Sequence, residues 1–348
     1  MDRPGATSVL ARDARIFPRE RNAAVLRGPR NLVQGTRVCL RRPGARERAR
    51  RPSSLGVVVL YDVWVGHATN PLRPWRRYVS RDDLESRLVR GLMLAPASAN
   101  IVMQLSRLQV GRGVAESSVE GGSLTRHPIK RTRTTLAYVW VSLYGSDAER
   151  AELRRNVDAQ HRHVRSRPGG DVVYDAFDPD LQLWVAACMY VGSLQGYETL
   201  YGEATNDVAD DLLAQCSRFA TTLQVPAHKW PGDRAAFAAY WTSSLAQVRV
   251  DEVTSRYLRD FVDLRFLPRP LGFLLRPINR LLTAGYLAAP FRDALGMPWG
   301  DVQQRRFARV TEVLRRVNRI LPLPVARLPW NLVRYDTRRR LARQRPLV

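Results

Sequence analysis

Hydrophobic positions along the chain recur with helical spacing, and no series of alternating apolar and polar residues predicts a sheet. Residues 180–201 are apolar on almost every side, which predicts a long buried helix. Further helical stretches occupy residues 80–95, 100–114, 206–219, 234–248, 249–266 and 302–320, and prolines divide residues 268–298 into short helices. We therefore predict an all-α fold, a single large multi-helix domain over residues 55–320. Within it, the apolar run at residues 55–65 is read equally well as a short strand or a buried helical turn.

Residues 131–164 predict two helices joined at Tyr144-Gly145-Ser146. Pro128 opens the first helix, since proline suits the first helical turn. Ser146 and Glu149 have the spacing of a capping box, which predicts the start of the second helix. In the first helix Arg131 and Thr135 share one face through their i, i+4 spacing.

The second of these helices places a histidine on its apolar stripe. His161 is one turn beyond Val157 and three residues before Val164, so its imidazole faces the core, whereas His163 points away. An unpaired buried polar group costs about 1–3 kcal/mol, so this imidazole must bond a core group or coordinate something. From the residues alone, a hydrogen-bonded core histidine is the default and a ligand-binding histidine the alternative.

Positive charge is concentrated at the two ends of the 348-residue chain. The formal net charge is +24, and residues 1–51 hold 14 arginines against 4 acids, while residues 301–348 hold 13 against 3. We predict that residues 1–54 are an Arg/Pro-rich disordered segment and that residues 321–348 form a basic, flexible C-terminal tail. Only Lys130 and Lys229 are lysines, and nucleic-acid-binding surfaces usually mix both cations with aromatic residues, so no specific nucleic-acid partner is expected.

Cysteine usage and apolar segments bear on location. Cys39, Cys188 and Cys216 are far apart, which predicts neither disulfides nor a zinc site and favours the cytoplasm. No signal peptide or uncharged run of membrane-spanning length is present. Residues 271–289 are apolar but interrupted by Arg276, Pro277, Asn279 and Arg280, a pattern compatible with peripheral contact at a bilayer surface.

Ordered short motifs resemble a known family. The sequence lacks GxSxG, HExxH, CxxC and phosphate-binding glycine motifs. It contains R-x-x-x-T-L at residues 131–136, an apolar run ending in Tyr-Gly, and H-x-x-V-R at 161–165. The YDAFDPDLQLWV, YE and LGMPW motifs follow in order at residues 174–185, 197–198 and 295–299. Together they resemble the catalytic domain of the MpaB and latex-clearing-protein (rubber oxygenase) family, over about residues 85–320.

The resemblance implies a haem pocket in the helical core with haem b as cofactor. His161 would be the iron ligand, Arg131 and Thr135 would lie on the distal side, and Glu116 would match an acidic catalytic residue. A single histidine ligand leaves one iron position open to dioxygen. Three positions depart from the family: Thr134 replaces a lysine or arginine, Arg107-Leu108 replaces His-Pro, and Ala186-Ala187 stand where a histidine is usual.

Two functions follow as expectations, and a third hypothesis, a nucleic-acid binder that acts through its arginines, ranks below both. The first is a haem-dependent oxygenase that acts with dioxygen on an apolar unsaturated substrate, an isoprenoid or a lipid, in the cytoplasm or at a membrane surface. The second is a catalytically inactive family member that binds haem or a lipid surface. Rubber itself is not the expected substrate, because of Thr134 and the absence of an export signal.

Overall fold

The computed structural model describes residues 84–117 and 127–348, and the regular structure in these ranges is helical. The all-α prediction is confirmed for this part of the chain, where the only strand-like pairing is an isolated bridge between Arg165 and Asp175. A 3₁₀ turn spans Gly91–Leu94 and another spans Ala227–Lys229. The helices are α1 (Leu84–Leu88), α2 (Ala97–Leu105), α3 (Leu108–Ala115), α4 (Pro128–Tyr144), α5 (Asp147–His161), α6 (Pro179–Tyr201), α7 (Asn206–Thr221), α8 (Arg234–Leu245), α9 (Glu252–Val262), α10 (Arg269–Tyr286), α11 (Ala289–Ala294), α12 (Asp301–Ile320), α13 (Leu323–Ala326) and α14 (Leu328–Ala342).

Helix α6 is the centre of the fold, as its apolar sequence predicts. Asp178 caps it by accepting hydrogen bonds from the backbone N–H groups of Asp180 and Leu181. The helix packs against α2, α7 and α12. Its Trp184 is fully buried, stacks on Trp241 at 5.3 Å between ring centroids, and donates to the Gln104 carbonyl at 3.0 Å.

The α4–α5 hairpin also forms as predicted. Ser146 Oγ accepts from the Glu149 N–H at 3.2 Å, and the Glu149 carboxylate accepts from the Ser146 N–H at 2.7 Å. Both halves of the capping box are therefore present. This tight turn makes α4 and α5 neighbours, so the beginning of α4 lies beside the end of α5.

One predicted helix is divided in two. Residues 100–114 read as a continuous helix, but the backbone becomes extended at Arg107 and separates α2 from α3. The break brings Gly111 against the Leu105 carbonyl and Thr254, and a Cβ at Gly111 would lie 2.5 Å from both. The close approach needs a glycine, which explains why the chain tolerates one within α3.

The C-terminal segment differs from the predicted basic, flexible tail. Helices α13 and α14 occupy most of residues 321–348, and α14 packs on α4. Trp330 is 6% exposed, and Leu347 is fully buried in a cluster with Val141, Leu153 and Val157. The arginines of α14 lie outward or form ion pairs. Their high proportion in the sequence obscured the few apolar residues that pack this segment against the helical domain.

Other predictions concern residues outside the described ranges. These are the disordered segment 1–54, the apolar run 55–65 and the first residues of the helix predicted from residue 80. None of the helices in residues 84–117 and 127–348 combines the length and the hydropathy of a membrane span.

Candidate functional site

The hairpin geometry brings Arg131 and His161 together. Arg131 lies in the first turn of α4 and His161 is the last residue of α5. Each is about fourteen residues from the turn at Gly145-Ser146, so at 1.5 Å per residue both lie roughly 20 Å along their helices from that turn. The Arg131 charge accordingly acts on the His161 imidazole.

The His161 imidazole is largely buried and incompletely bonded. Its Nδ1 atom is inaccessible to solvent and has no hydrogen-bond partner. The ring makes a T-shaped contact with Phe177, with 6.1 Å between ring centroids and an interplanar angle of 84°. A buried polar atom left unpaired costs about 1–3 kcal/mol, so this atom is a candidate position for a bound ligand.

Burial lowers the pKa of His161 below its ordinary value, and the nearby Arg131 guanidinium lowers it further. Asp158 and Asp175 oppose this change, as does the negative end of the α5 dipole, but burial is the largest effect. The imidazole is therefore neutral at neutral pH, the form in which histidine coordinates a metal.

Arg131 is itself desolvated. Burial lowers the pKa of its guanidinium, and Tyr257 of α9 acts in the opposite direction. A guanidinium remains protonated even so, because its ordinary pKa lies far above neutral pH. The structure thus places a positive charge next to a neutral histidine, an arrangement that attracts a ligand bearing negative charge.

The two threonines of α4 have different surroundings. Thr134 is buried, and its hydroxyl donates to the Arg131 carbonyl at 3.0 Å within the same helix. Thr135 is exposed. The predicted i, i+4 spacing of Arg131 and Thr135 exists in α4, and the Thr135 hydroxyl is accessible to a ligand.

Glu116 belongs to a separate group of charged residues centred on Arg112. The Arg112 guanidinium forms ion pairs with Glu116, Asp171 and Asp251, and Tyr174 Oη donates to Glu116 at 3.2 Å. These contacts join α3, the start of α9 and the segment after α5. Glu116 therefore holds neighbouring segments together in this structure.

The chain after His161 forms a short hairpin. The Ala176 N–H donates to the Val164 carbonyl at 2.9 Å, and the Ser166 N–H donates to the Tyr174 carbonyl at 2.8 Å. Gly169, at φ +78°, lies near its tip. The base of the hairpin returns the chain to the imidazole, and this return places Phe177 and Asp175 beside it.

Sequence reasoning missed two neighbours of the site, Phe177 and Tyr257. Phe177 lies inside the motif at residues 174–185, so the motif marked its segment but gave no sign of a ring contact. Tyr257 is on α9, about a hundred residues from His161, and nothing in its local pattern indicates proximity.

A cavity of about 570 Å³ lies at the beginning of α4. Its lining residues are His127, Pro128, Ile129, Lys130, Arg133 and Arg340. His161 does not line it, so this cavity is not the predicted haem pocket. The described residues also contain no cluster of three or more His, Cys, Asp or Glu side chains able to hold a metal.

We expect Arg131→Gln to raise the pKa of His161, because the substitution removes a nearby positive charge, while burial still keeps that pKa below its ordinary value. NMR titration of the imidazole in the ligand-free protein measures the change. The unfolded chain takes up this proton first, so the free energy of unfolding falls as pH drops below about 6.5. That fall should be smaller in Arg131→Gln. Arg162→Gln, at the exposed next residue, is the matched control, and equal shifts in both variants would refute the specific contact.

The fold and site define an all-α protein with a neutral, largely buried histidine beside a desolvated arginine. The chain belongs to the family described as "ER-bound oxygenase mpaB/B'/Rubber oxygenase, catalytic domain", whose model matches residues 86–316. The resemblance noted from the motifs is confirmed, and the domain is that of an oxygenase family.

Two mycobacterial relatives are each 42% identical to this chain over 256 residues, which are 74% of this chain and 100% of the relative. They are named Uncharacterized protein Mb2261, from Mycobacterium bovis, and Uncharacterized protein Rv2237, from Mycobacterium tuberculosis. No solved structure matches the chain.

Proposed function

We propose that this protein is a haem b-dependent oxygenase in which His161 is the protein's iron ligand. The observation that carries the proposal is the buried, unpartnered Nδ1 of a neutral imidazole at the end of α5. A metal ion bound to this imidazole would supply the partner that the protein does not provide. Family membership supports the oxygenase activity, and the histidine chemistry supports the cofactor.

The residues around His161 fit the charge of this cofactor. Haem b carries two propionates, and the desolvated Arg131 guanidinium is a favourable neighbour for a negative group. Phe177 makes a T-shaped aromatic contact with the imidazole and supplies an apolar neighbour to it. When bound, the haem would supply an iron position at which dioxygen is activated.

Arg131 and Thr135 are proposed as the polar residues that orient dioxygen and substrate. Their one-turn spacing lets a guanidinium and an accessible hydroxyl act on the same ligand. Glu116 is proposed to act indirectly, because its carboxylate is already engaged by Arg112 and Tyr174.

The proposed substrate is a small apolar, unsaturated molecule, either an isoprenoid or a lipid. Thr134 lacks the cation that rubber-cleaving relatives carry there, and its hydroxyl is bonded within α4. A substrate of this kind partitions into lipid, so peripheral contact with a membrane is part of the proposal.

A second candidate is a family member that binds haem or a lipid surface without turnover. It is favoured by Ala186 and Ala187, which are buried where the family usually has a histidine. It is also favoured by Arg107, which lies over the Trp184 ring at 4.7 Å and bonds Gln247. These residues fill space and hold helices together.

Haem titration followed by oxygen measurement tests both candidates. We expect purified full-length protein to bind haemin at one equivalent with a sharp Soret band. The loaded protein should consume dioxygen with at least one member of a panel of unsaturated isoprenoids and lipids. Absence of a saturable Soret band would refute the haem proposal, and a saturable band without oxygen consumption across the panel would favour the second candidate.

A further inference from the structure

Helix α10 presents its apolar side to solvent. Leu271, Leu274, Leu275 and Ile278 follow the i, i+3, i+4, i+7 spacing of one helix face. Their exposed fractions are 44%, 73%, 37% and 38%. Phe273 precedes Leu274 and lies about 100° from it around the helix, and it extends this exposed apolar surface at 74% exposure. We call these five residues the α10 apolar face. Single exposed apolar residues are ordinary, but a contiguous group of this size usually marks an interaction site.

The side of α10 that carries Gly272 and Asn279 contacts the protein through small and polar groups. Gly272 is buried, and Asn279 donates to the Val262 carbonyl at 2.8 Å while accepting from Ser98 Oγ at 2.9 Å. Helices on the surface of a globular domain normally have the reverse arrangement, with apolar residues inward. Polar contacts of Asn279 and Arg280 therefore hold α10 against the protein, while the apolar residues earlier in the helix remain exposed.

Positive charge surrounds this face. Residues 264–292 contain no acid and five arginines, namely Arg265, Arg269, Arg276, Arg280 and Arg292. Arg265 and Arg280 pair with Asp260 and Asp263, whereas Arg269 and Arg276 form no ion pair with a carboxylate of the described residues. The Arg276 guanidinium lies over the Phe273 ring at 5.7 Å from its centroid. A long side chain in this position can place its charge at lipid headgroups while its stem covers apolar surface.

Pro277 limits how deeply such a helix can enter a lipid bilayer. Proline has no N–H, so the Phe273 carbonyl, one turn earlier, lacks its usual intrahelical donor. An unbonded carbonyl is expensive in the hydrocarbon region but finds water at the headgroup level. The helix thus fits a bilayer interface.

We propose that the α10 apolar face docks on the surface of an anionic lipid bilayer. A second copy of this chain fits less well, because a twofold contact across this face would bring Arg269 and Arg276 against their own copies. Anionic headgroups complement those arginines instead. The proposal rests on the membrane contact of the proposed function and is independent of His161 and haem.

Vesicle flotation with the full-length protein tests the proposal. We expect binding to phosphatidylcholine vesicles that contain phosphatidylglycerol, weaker binding to pure phosphatidylcholine, and weakening with salt. Replacing Phe273 and Leu274 with serine should reduce partitioning by about tenfold or more, because two large exposed side chains are lost from the lipid contact. Both residues are largely exposed, so the variant should fold normally by circular dichroism.

The matched control replaces Val313 and Ile320 of α12 with serine, since these are also exposed, at 57% and 79%. The control should bind vesicles like the unmodified protein. Equal binding of the Phe273/Leu274 variant and the unmodified protein, or equal loss in both variants, would overturn the assignment. Light scattering without vesicles separates the remaining alternative: a dimer that the Phe273/Leu274 variant converts to a monomer would make this face a homodimer interface and refute lipid docking. His161→Ala should leave flotation unchanged.

Discussion

Replacing His161 with alanine is expected to abolish the Soret band that marks haem bound at one equivalent. Loss of a residue that merely supports a metal ligand typically costs 10–100-fold in affinity, so loss of the ligand itself should weaken haem binding by on the order of 100-fold or more. The measurement is an absorbance titration with haemin at equal protein concentrations. His163→Ala is the matched control, because His163 lies two residues further on and is exposed.

The ligand-free stability of this variant distinguishes a ligand from a core residue. In the absence of haem, the Nδ1 atom of His161 has no partner, so alanine removes no hydrogen bond from it. We expect the free energy of unfolding of the ligand-free protein to change by about 1 kcal/mol or less. A histidine that serves only the core would show the reverse pattern, with unfolding markedly easier and the Soret band unaffected.

Leu347→Ala is expected to lower the free energy of unfolding by about 2–5 kcal/mol. Leu347 is fully buried among Val141, Leu153 and Val157, although it lies in the segment predicted to be a tail. Its backbone is also fixed, because its N–H donates to Asn156 Oδ1 at 2.7 Å and its carbonyl accepts from Arg133 at 3.1 Å. The substitution leaves a cavity between α4 and α5 that these polar contacts keep from collapsing.

Leu332→Ala is the matched control for this prediction. Leu332 lies in the same C-terminal segment but is 60% exposed, so its loss should change stability by less than about 0.5 kcal/mol. Urea unfolding at neutral pH measures both variants. Similar small effects would mean that the C-terminal segment contributes nothing to the core.

Much of the fold could be predicted because local rules agree with the tertiary structure. The capping box at Ser146, the proline at the start of α4 and the apolar sequence of α6 each define an element without reference to its neighbours. The packing of the C-terminal segment could not be predicted in this way, because its few buried apolar residues, among them Trp330 and Leu347, are outnumbered by arginines. Burial there depends on contacts with α4, α5 and the segment around Arg90, which are distant in sequence and which no local pattern encodes.

The site was predictable only in part for the same reason. The helical stripe placed His161 inward, and the hairpin brings it close to Arg131. The absence of a hydrogen-bond partner for Nδ1 depends on every group packed around the ring, including Phe177, and so could not be predicted from the sequence. Thr134 and Thr135 show the limit of spacing arguments. The predicted site residue, Thr135, is exposed, whereas its neighbour Thr134 is buried.

The hairpin that follows His161 has a consequence for how this protein can diverge. Its two backbone hydrogen bonds, near Val164 and Tyr174, close the base, while residues 167–170 at the tip are exposed. Because the base is closed, the tip can change in length without moving the imidazole. Insertions or deletions around Gly169 are therefore neutral for the site, and this tip is a natural place for evolution, or for a grafted peptide tag, to add sequence.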